Sequence, residues 1–144
     1  MRVNNFKENF NAEIENINNV LKEIEKLAGL KSEKMDNVKI AAAGTFLHNF
    51  YNGIENIIKR ALIVEGVKIK NSFNWHKETL LKAKALDIIT EKTHINLIQF
   101  LSFRHYFIHG YSFKIMPDEL LLLLKQTDEV FNEFKKEIEK HFNI

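Results

Sequence analysis

The chain of 144 residues has the length of one domain, and its hydrophobic fraction of 45% is enough for a core, which excludes a disordered protein. With 21 Lys and Arg against 19 Asp and Glu, no strong net charge points to nucleic acid or a membrane. The absence of cysteine excludes disulfides and thiolate metal sites and suits the cytoplasm. The N-terminus lacks the apolar core of a signal peptide, and the longest apolar run, residues 120–124, is too short to span a bilayer. We therefore expect a soluble cytoplasmic protein.

Apolar residues recur every three or four positions along nearly the whole chain, which has only five glycines and one proline. The pattern predicts five helices, over about residues 6–29, 36–65, 75–86, 90–110 and 117–142. Gly66 and Gly110 are natural stops, and Ser72 could cap the third helix. Pro117 suits the first turn of the fifth helix. The sequence therefore predicts one all-α domain over residues 1–144, an up-and-down bundle of four long helices and one shorter helix.

The first and fifth predicted helices carry the most regular apolar rows. These rows are Phe6, Phe10, Ile14, Ile17, Leu21, Ile24 and Leu27, and Leu120, Leu124, Thr127, Phe131, Phe134, Ile138 and Phe142. Such rows usually face a core. Because both are close to a heptad repeat, one of them could also serve a dimer interface.

One face of the second predicted helix is polar. His48, Asn52, Glu55 and Lys59 follow one another at intervals of four, three and four residues, which places them on one side of a helix. A solvated face is the more common interpretation of such a row. If the face lines a cleft instead, Glu55 could orient a base or hold an arginine. Tyr51, one turn earlier, could reach the same carboxylate.

The segment SFRHYFIHGYS, residues 102–112, concentrates polar and aromatic side chains at the end of the fourth predicted helix. In it, Arg104 and His109 form an R-x4-H pattern, which is a weak signal by itself. Five residues turn about 140° around a straight helix, so these two side chains do not share a face. They can act together if the helix ends or distorts near Gly110, or if both face a groove between subunits.

Arginine and histidine are the residue types that cleavage of a phosphodiester needs. Arg104 could hold the phosphate with its fork of donors, and His109 could carry a proton to or from the reacting oxygens. A histidine near a helix C-terminus has its protonated form favoured by the helix dipole. If the nucleophile is the 2′-OH of the RNA itself, the reaction needs neither a metal nor a cofactor. Tyr111 could stack on a base or donate to a phosphate.

The segment FRHYFIHGY resembles the R-x4-H-x-Y signature of HEPN-domain proteins, and specifically of the HepT-like toxins of bacterial and archaeal toxin–antitoxin pairs. The residues that match the signature are Arg104, His109 and Tyr111. His105 matches the polar residue that often follows the arginine in HEPN motifs.

Two further segments resemble HepT-like chains, FYNGIENIIKRAL, which contains Glu55, and NWHKETLL. They precede the motif in the order found in that family. The similarity therefore spans roughly residues 45–125, and its three parts together are more specific than any one of them.

This resemblance implies a helical bundle that commonly forms a homodimer, in which two motifs share one cleft and Arg104 and His109 can act together. It implies a metal-independent endoribonuclease with Arg104 on the phosphate and His109 as general acid and base. His105 would assist, with Glu55 auxiliary. The implied partners are the RNA substrate and a nucleotidyltransferase antitoxin of the MNT type, which can inactivate the toxin by adding AMP to Tyr111.

Two other interpretations stay open from the residues. The chain could be a non-catalytic HEPN module that binds a nucleotide or its partner without cutting RNA. Alternatively, His105 and His109, which share a helix face, could hold a metal ion with His76 or Glu55 as a distant third ligand, or the protein could be a purely structural helical dimer.

Overall fold

The computed structural model describes residues 2–69, 74–109 and 115–144, and within these ranges the chain is helical with no strand. The helices are α1 (Arg2–Ala28), α2 (Asn37–Val64), α3 (Trp75–Ala85), α4 (Glu91–Ile108) and α5 (Pro117–Phe142). A short 3₁₀ turn, Ser32–Lys34, lies between α1 and α2. The prediction of an all-α bundle with four long helices and one shorter helix is confirmed.

Local signals explain three of the helix ends. The Asp36 side chain accepts a hydrogen bond from the Lys39 backbone N–H (2.9 Å) at the start of α2. The hydroxyl of Thr90 does the same for the N–H of Thr93 (3.2 Å) at the start of α4. Gly66, which follows α2, has a φ of +77°, a conformation that a side chain would strain.

Two predicted boundary residues, Ser72 and Gly110, lie outside the described residues. In the described part, Asn74 precedes α3, and its side chain makes no capping hydrogen bond. Helix α4 ends at Ile108, and the backbone N–H of the next residue, His109, donates to the carbonyl of His105 (3.2 Å).

Helix α2 is the centre of the bundle and packs against α1, α3, α4 and α5. Its pairing with α4 is antiparallel, because Gly44 lies against Phe107 whereas Phe50 meets Phe100 with ring centroids 5.3 Å apart. A Cβ at Gly44 would lie 2.3 Å from the ring of Phe107. Only glycine therefore allows α2 and the end of α4 to approach this closely.

The apolar rows of α1 and α5 are used in the chain's own core. Phe6, Phe10, Ile17, Phe134 and Ile138 are among their buried members. Phe6 also contacts the ring of Phe142 at the far end of α5 (4.3 Å between centroids). A dimer interface would therefore need other residues than these rows.

Across residues 2–69, 74–109 and 115–144, no helix combines the length and the apolar character that crossing a bilayer requires.

Candidate active site in the groove between helices α2, α3 and α4

Arg104 projects from α4 onto the polar face of α2. Its Nε donates a hydrogen bond to Oδ1 of Asn52 (3.1 Å), across 52 residues of sequence, and the side chain is half-buried. Within the part of the chain that the structure describes, Arg104 makes no other hydrogen bond and no ion pair with a carboxylate. A neutral amide thus orients the guanidinium through one nitrogen, while the terminal Nη groups and the positive charge stay available to an anion.

His48 continues this hydrogen-bonded chain. Because the Asn52 oxygen accepts from Arg104, its Nδ2 is the donor to His48 Nε2 (2.9 Å), and the proton of a neutral His48 lies on Nδ1. That Nδ1 is buried and has no hydrogen-bond partner among the described residues. Burial, and after it the positive charge of Arg104, lowers the pKa of His48 below its ordinary value. The neutral state that the hydrogen bond requires is therefore also the favoured one.

Glu55, one turn further along α2, is almost fully buried, with 3% of its surface exposed. Its Oε2 lies 2.7 Å from Nδ1 of His76 on α3, and its Oε1 lies 3.3 Å from Nζ of Lys59. Lys59 also covers the ring of Trp75, 3.8 Å from its centroid. The carboxylate thus holds a histidine and a lysine, and Arg104 is held by Asn52 instead.

These contacts overturn the interpretation of the α2 polar row as a solvated face. Glu55 is buried, and His48, Asn52 and Lys59 are half-buried. The row instead lies at the junction where α3 and α4 pack on α2, which we call the groove.

Tyr51, the residue before Asn52 on α2 and one turn before Glu55, is fully buried. Its hydroxyl faces the Glu55 carboxylate without a hydrogen bond of regular geometry. Burial, followed by the negative charge of Glu55, raises the pKa of Tyr51 far above its ordinary value, and the charge of Arg104 opposes this rise. The same hydroxyl is therefore within the field of both Glu55 and Arg104.

The end of α4 presents two histidines to solvent. The rings of His105 and His109 lie 4.3 Å apart between centroids, as their spacing on one helix face predicts, and both residues are exposed. Among the described residues, no group of three or more His, Asp and Glu side chains is arranged to hold a metal ion. His76 and Glu55, the candidates for a third ligand, are bonded to each other.

The structure does not join Arg104 to His109 within one chain. Arg104 is half-buried against α2, whereas His109 lies exposed just after the end of α4 beside His105. The helix does end where the position of Gly110 predicts, at Ile108. Tyr111, the third residue of the motif, lies outside the described residues.

Two partners of the site residues were not identifiable from the sequence. Asn52 was visible as part of the polar row, but not as the residue that holds Arg104. The sequence offers His76 as a distant metal ligand and as part of the segment NWHKETLL, but not as the partner of Glu55, which lies 21 residues away. Only the packing of α3 and α4 on α2 reveals either pairing.

Comparison with known proteins gives one match. A family model described as HepT-like protein matches residues 42–143, which is more than two thirds of the chain. The match includes most of α2 and all of α3, α4 and α5, and therefore every residue of the groove. Neither the curated proteins nor the solved structures contain a match to the chain.

Proposed function

Because the chain belongs to the HepT-like protein family, we propose that it is a metal-independent endoribonuclease toxin of a toxin–antitoxin pair. The observation that carries this proposal is the state of Arg104. A half-buried guanidinium that a neutral amide orients, and that no described carboxylate neutralises, is suited to a phosphate of the RNA backbone.

His109 is the general acid and base of the proposed reaction. It is exposed, so its ring can exchange protons with a bound RNA, and the ring of His105 lies close enough to assist or position it. Cleavage would use the 2′-OH of the RNA as the nucleophile, so that the reaction needs no metal.

A homodimer would complete the site. Because Arg104 and His109 of one chain face different surroundings, we propose that the His109 of a second copy acts beside Arg104 of the first. The exposed Ile108, with 50% of its surface accessible next to His109, is an apolar residue that such a contact could cover.

The proposed antitoxin is a nucleotidyltransferase of the MNT type, which adds AMP to Tyr111. A bulky, negatively charged group two residues after His109 would compete with RNA phosphate for the same positive charge. The proposed setting is the cytoplasm, where both partners and the RNA occur.

The proposal is tested by incubating the purified protein with RNA in the presence of EDTA. We expect the wild type to cut the RNA. His109→Ala should lose about 10²–10⁴-fold in rate, the range for a lost acid–base group, and Arg104→Ala about 10²–10³-fold, the range for a lost electrostatic stabiliser. Because His109 is exposed, its alanine variant should keep the wild-type melting temperature. Undiminished cutting by the His109→Ala variant in EDTA would contradict the assignment.

The separation of Arg104 from His109 within one chain favours a second candidate, a module that binds a nucleotide or its nucleotidyltransferase partner without cutting RNA. A purified dimer that binds RNA through Arg104, yet leaves it intact for hours, would support this alternative over the ribonuclease.

A further inference from the structure

We propose that His76, held by the buried carboxylate of Glu55, is a second proton-transfer residue in the groove that Arg104 lines. This inference rests on the proposed ribonuclease function and assigns a catalytic role to a residue outside the R-x4-H motif. Glu55 then acts as a positioning residue through His76.

The contact between Glu55 and His76 fixes which ring nitrogen is available. Nδ1 of His76 lies 2.7 Å from Oε2 of Glu55, so Nδ1 carries the proton and donates to the carboxylate. Nε2, the opposite nitrogen, has no hydrogen-bond partner within residues 2–69, 74–109 and 115–144. The His76 side chain is 23% exposed, against 4% for Glu55. A buried carboxylate therefore orients an imidazole that stays accessible to a ligand.

His76 and Arg104 are held by neighbouring positions of α2. Asn52, which holds Arg104, and Glu55, which holds His76, are three residues apart, about 4.5 Å along the helix axis and on the same face. The buried hydroxyl of Tyr51 lies within electrostatic range of both Glu55 and Arg104.

The direction of the helices places His76 and the end of α4 on opposite sides of Arg104. Because α2 and α4 are antiparallel, the end of α4 lies toward Gly44, whereas Glu55 and His76 lie toward the other end of α2. A phosphate bound to Arg104 would therefore have His76 on one side, and the His109 that a second copy supplies would approach from the other.

Cleavage of RNA by its own 2′-OH needs one group that accepts a proton and another that donates one, and the two histidines can fill these roles. The 2′-oxygen forms a bond to phosphorus and its proton passes to Nε2 of neutral His76. The bond from phosphorus to the 5′-oxygen breaks, and the protonated His109 that a second copy supplies gives that oxygen a proton. The products are a 2′,3′-cyclic phosphate and a 5′-hydroxyl, and one proton has moved at each histidine. Glu55 stabilises the imidazolium that forms on His76.

A purely structural role, in which the pair only ties α3 to α2, is the main alternative. The chain contains a matched control, because His141 on α5 also pairs with a glutamate that follows α2. Its Nε2 lies 2.9 Å from Oε1 of Glu65, and the histidine side chain is 22% exposed. The two pairs differ in that His141 is outside the groove, uses Nε2 for the contact, and meets a glutamate side chain that is 36% exposed, against 4% for Glu55.

The test compares His76→Asn with His141→Asn. The asparagine amide can take the place of Nδ1 as a donor to Glu55 but cannot replace Nε2 as a base. Initial rates with RNA in EDTA are measured across about pH 5–8, the range in which a histidine titrates. We expect His76→Asn to lower kcat by about 10²–10⁴-fold with KM within about threefold of wild type. The His76→Asn variant should also lose one limb of the pH–kcat profile. The His141→Asn variant should match wild type in its kcat and in its pH–kcat profile.

Glu55→Gln and added imidazole sharpen the test. The Glu55→Gln variant should retain part of the rate, because the amide still orients His76 but no longer stabilises the imidazolium. Free imidazole should restore part of the rate to His76→Ala but none to His141→Ala, which is already active. A structural role for His76 would give no such rescue.

A second measurement uses the wild-type protein and does not depend on any variant folding. Diethyl pyrocarbonate should modify His76 in the free protein, and a 2′-O-methyl RNA, which cannot be cut, should protect it. Equal modification with and without this RNA would overturn the inference.

The kinetic outcomes separate the two proposals. If wild type cuts RNA and His76→Asn cuts it equally fast, the inference is wrong and the ribonuclease proposal stands. If wild type leaves RNA intact, the ribonuclease proposal is wrong and the role of His76 falls with it.

Discussion

Arg104, on α4, and His109, the residue after its end, are only five positions apart, yet they differ in burial and in what holds them. Arg104 is half-buried and its Nε is fixed by Asn52, which is in turn bonded to His48. His109 is exposed beyond the last helical residue, and its ring lies beside that of His105. Folding of one chain thus positions the anion-binding half of the proposed site but leaves the proton-transfer half at the surface.

This difference explains how an R-x4-H spacing can be functional although it separates the two side chains on a helix. The arginine needs a fixed direction, because a guanidinium binds phosphate through a rigid fork of donors. The histidine must be accessible to the RNA. Because it is exposed, a second copy of the chain or the bound RNA can supply the rest of its surroundings. Three kinds of change that loosen the positioning of Arg104 test the anion-binding half of the proposed site.

The largest effect is expected from Asn52→Ala, which removes the only described anchor of Arg104. Hydrogen bonds to charged groups contribute about 1.5–3 kcal/mol, so the rate of RNA cleavage should fall roughly 10–100-fold as the guanidinium loses its orientation. The measurement is the initial cleavage rate of the folded variant, with its melting curve alongside.

Asn56→Ala is the matched control for that substitution. Asn56 is on the same helix but exposed, and it hydrogen-bonds Glu13 of α1 at 3.4 Å instead of Arg104. This variant should cut RNA at the wild-type rate. Equal losses in the two variants would mean that α2 as a whole is disturbed, and that Asn52 has no particular role.

Substitutions at two glycines of α2 distinguish a disturbance near the site from a disturbance elsewhere in the bundle. A Cβ at Gly44 would meet Phe107 near the end of α4 at 2.3 Å, and a Cβ at Gly53 would meet Ile17 of α1 at 2.6 Å. Overpacking of this kind costs about 1–3 kcal/mol, so both Gly44→Ala and Gly53→Ala should lower the free energy of unfolding in urea.

Only the Gly44→Ala variant should also lower the cleavage rate per folded molecule, by a few-fold, because the ring that must move belongs to the segment between Arg104 and His109. Gly53→Ala should cut RNA normally at temperatures where it is folded. A cleavage defect of the same size in Gly53→Ala would show that the end of α4 is not specially coupled to the site.

The helices were predictable because their signals are local. Spacings of three and four residues define the apolar rows, and Asp36, Thr90 and Gly66 stop or start helices through contacts with their immediate neighbours. The burial of Glu55 was not predictable in this way. A carboxylate in a polar row has the same sequence pattern whether the row faces water or a cleft, and only the docking of α3 decides between them.

The pairings across the groove depend on the same long-range packing. The hydrogen bond from Arg104 to Asn52 joins residues 52 apart, and it requires a particular rotation of α4 on α2 that no local pattern specifies. The resemblance to HepT-like chains identified Arg104 and His109 as motif residues, but it gave no information on what orients either of them. Contacts such as Gly44 with Phe107 set that orientation.

The smallest expected effect is the loss of folding stability when the pH is lowered. The folded-state pKa of His48 lies below the ordinary value of 6.5, because the ring is buried and Arg104 is nearby. Below about pH 6.5, His48 therefore takes up a proton when the protein unfolds, and the free energy of unfolding decreases as the pH falls. Above that pH, His48 is neutral in both states and does not make the free energy of unfolding depend on pH. His94, whose pKa is lowered chiefly by burial and then by Lys84, adds a slope of the same sign.

The His48→Gln variant should make this dependence shallower. Glutamine can still accept the Asn52 hydrogen bond through its carbonyl oxygen but cannot gain a charge beside Arg104. The free energy of unfolding, measured in urea at pH 7.5 and at pH 5.5, should differ less between the two pH values for His48→Gln than for wild type. Adding His94→Gln should make the difference that is left smaller still. An unchanged difference in His48→Gln would mean that His48 binds no additional proton on unfolding, so that its pKa is not lowered in the folded protein. In that case the His48 ring would be protonated in part at pH 5.5, and there its Nε2 could not be relied on as the acceptor that holds Asn52.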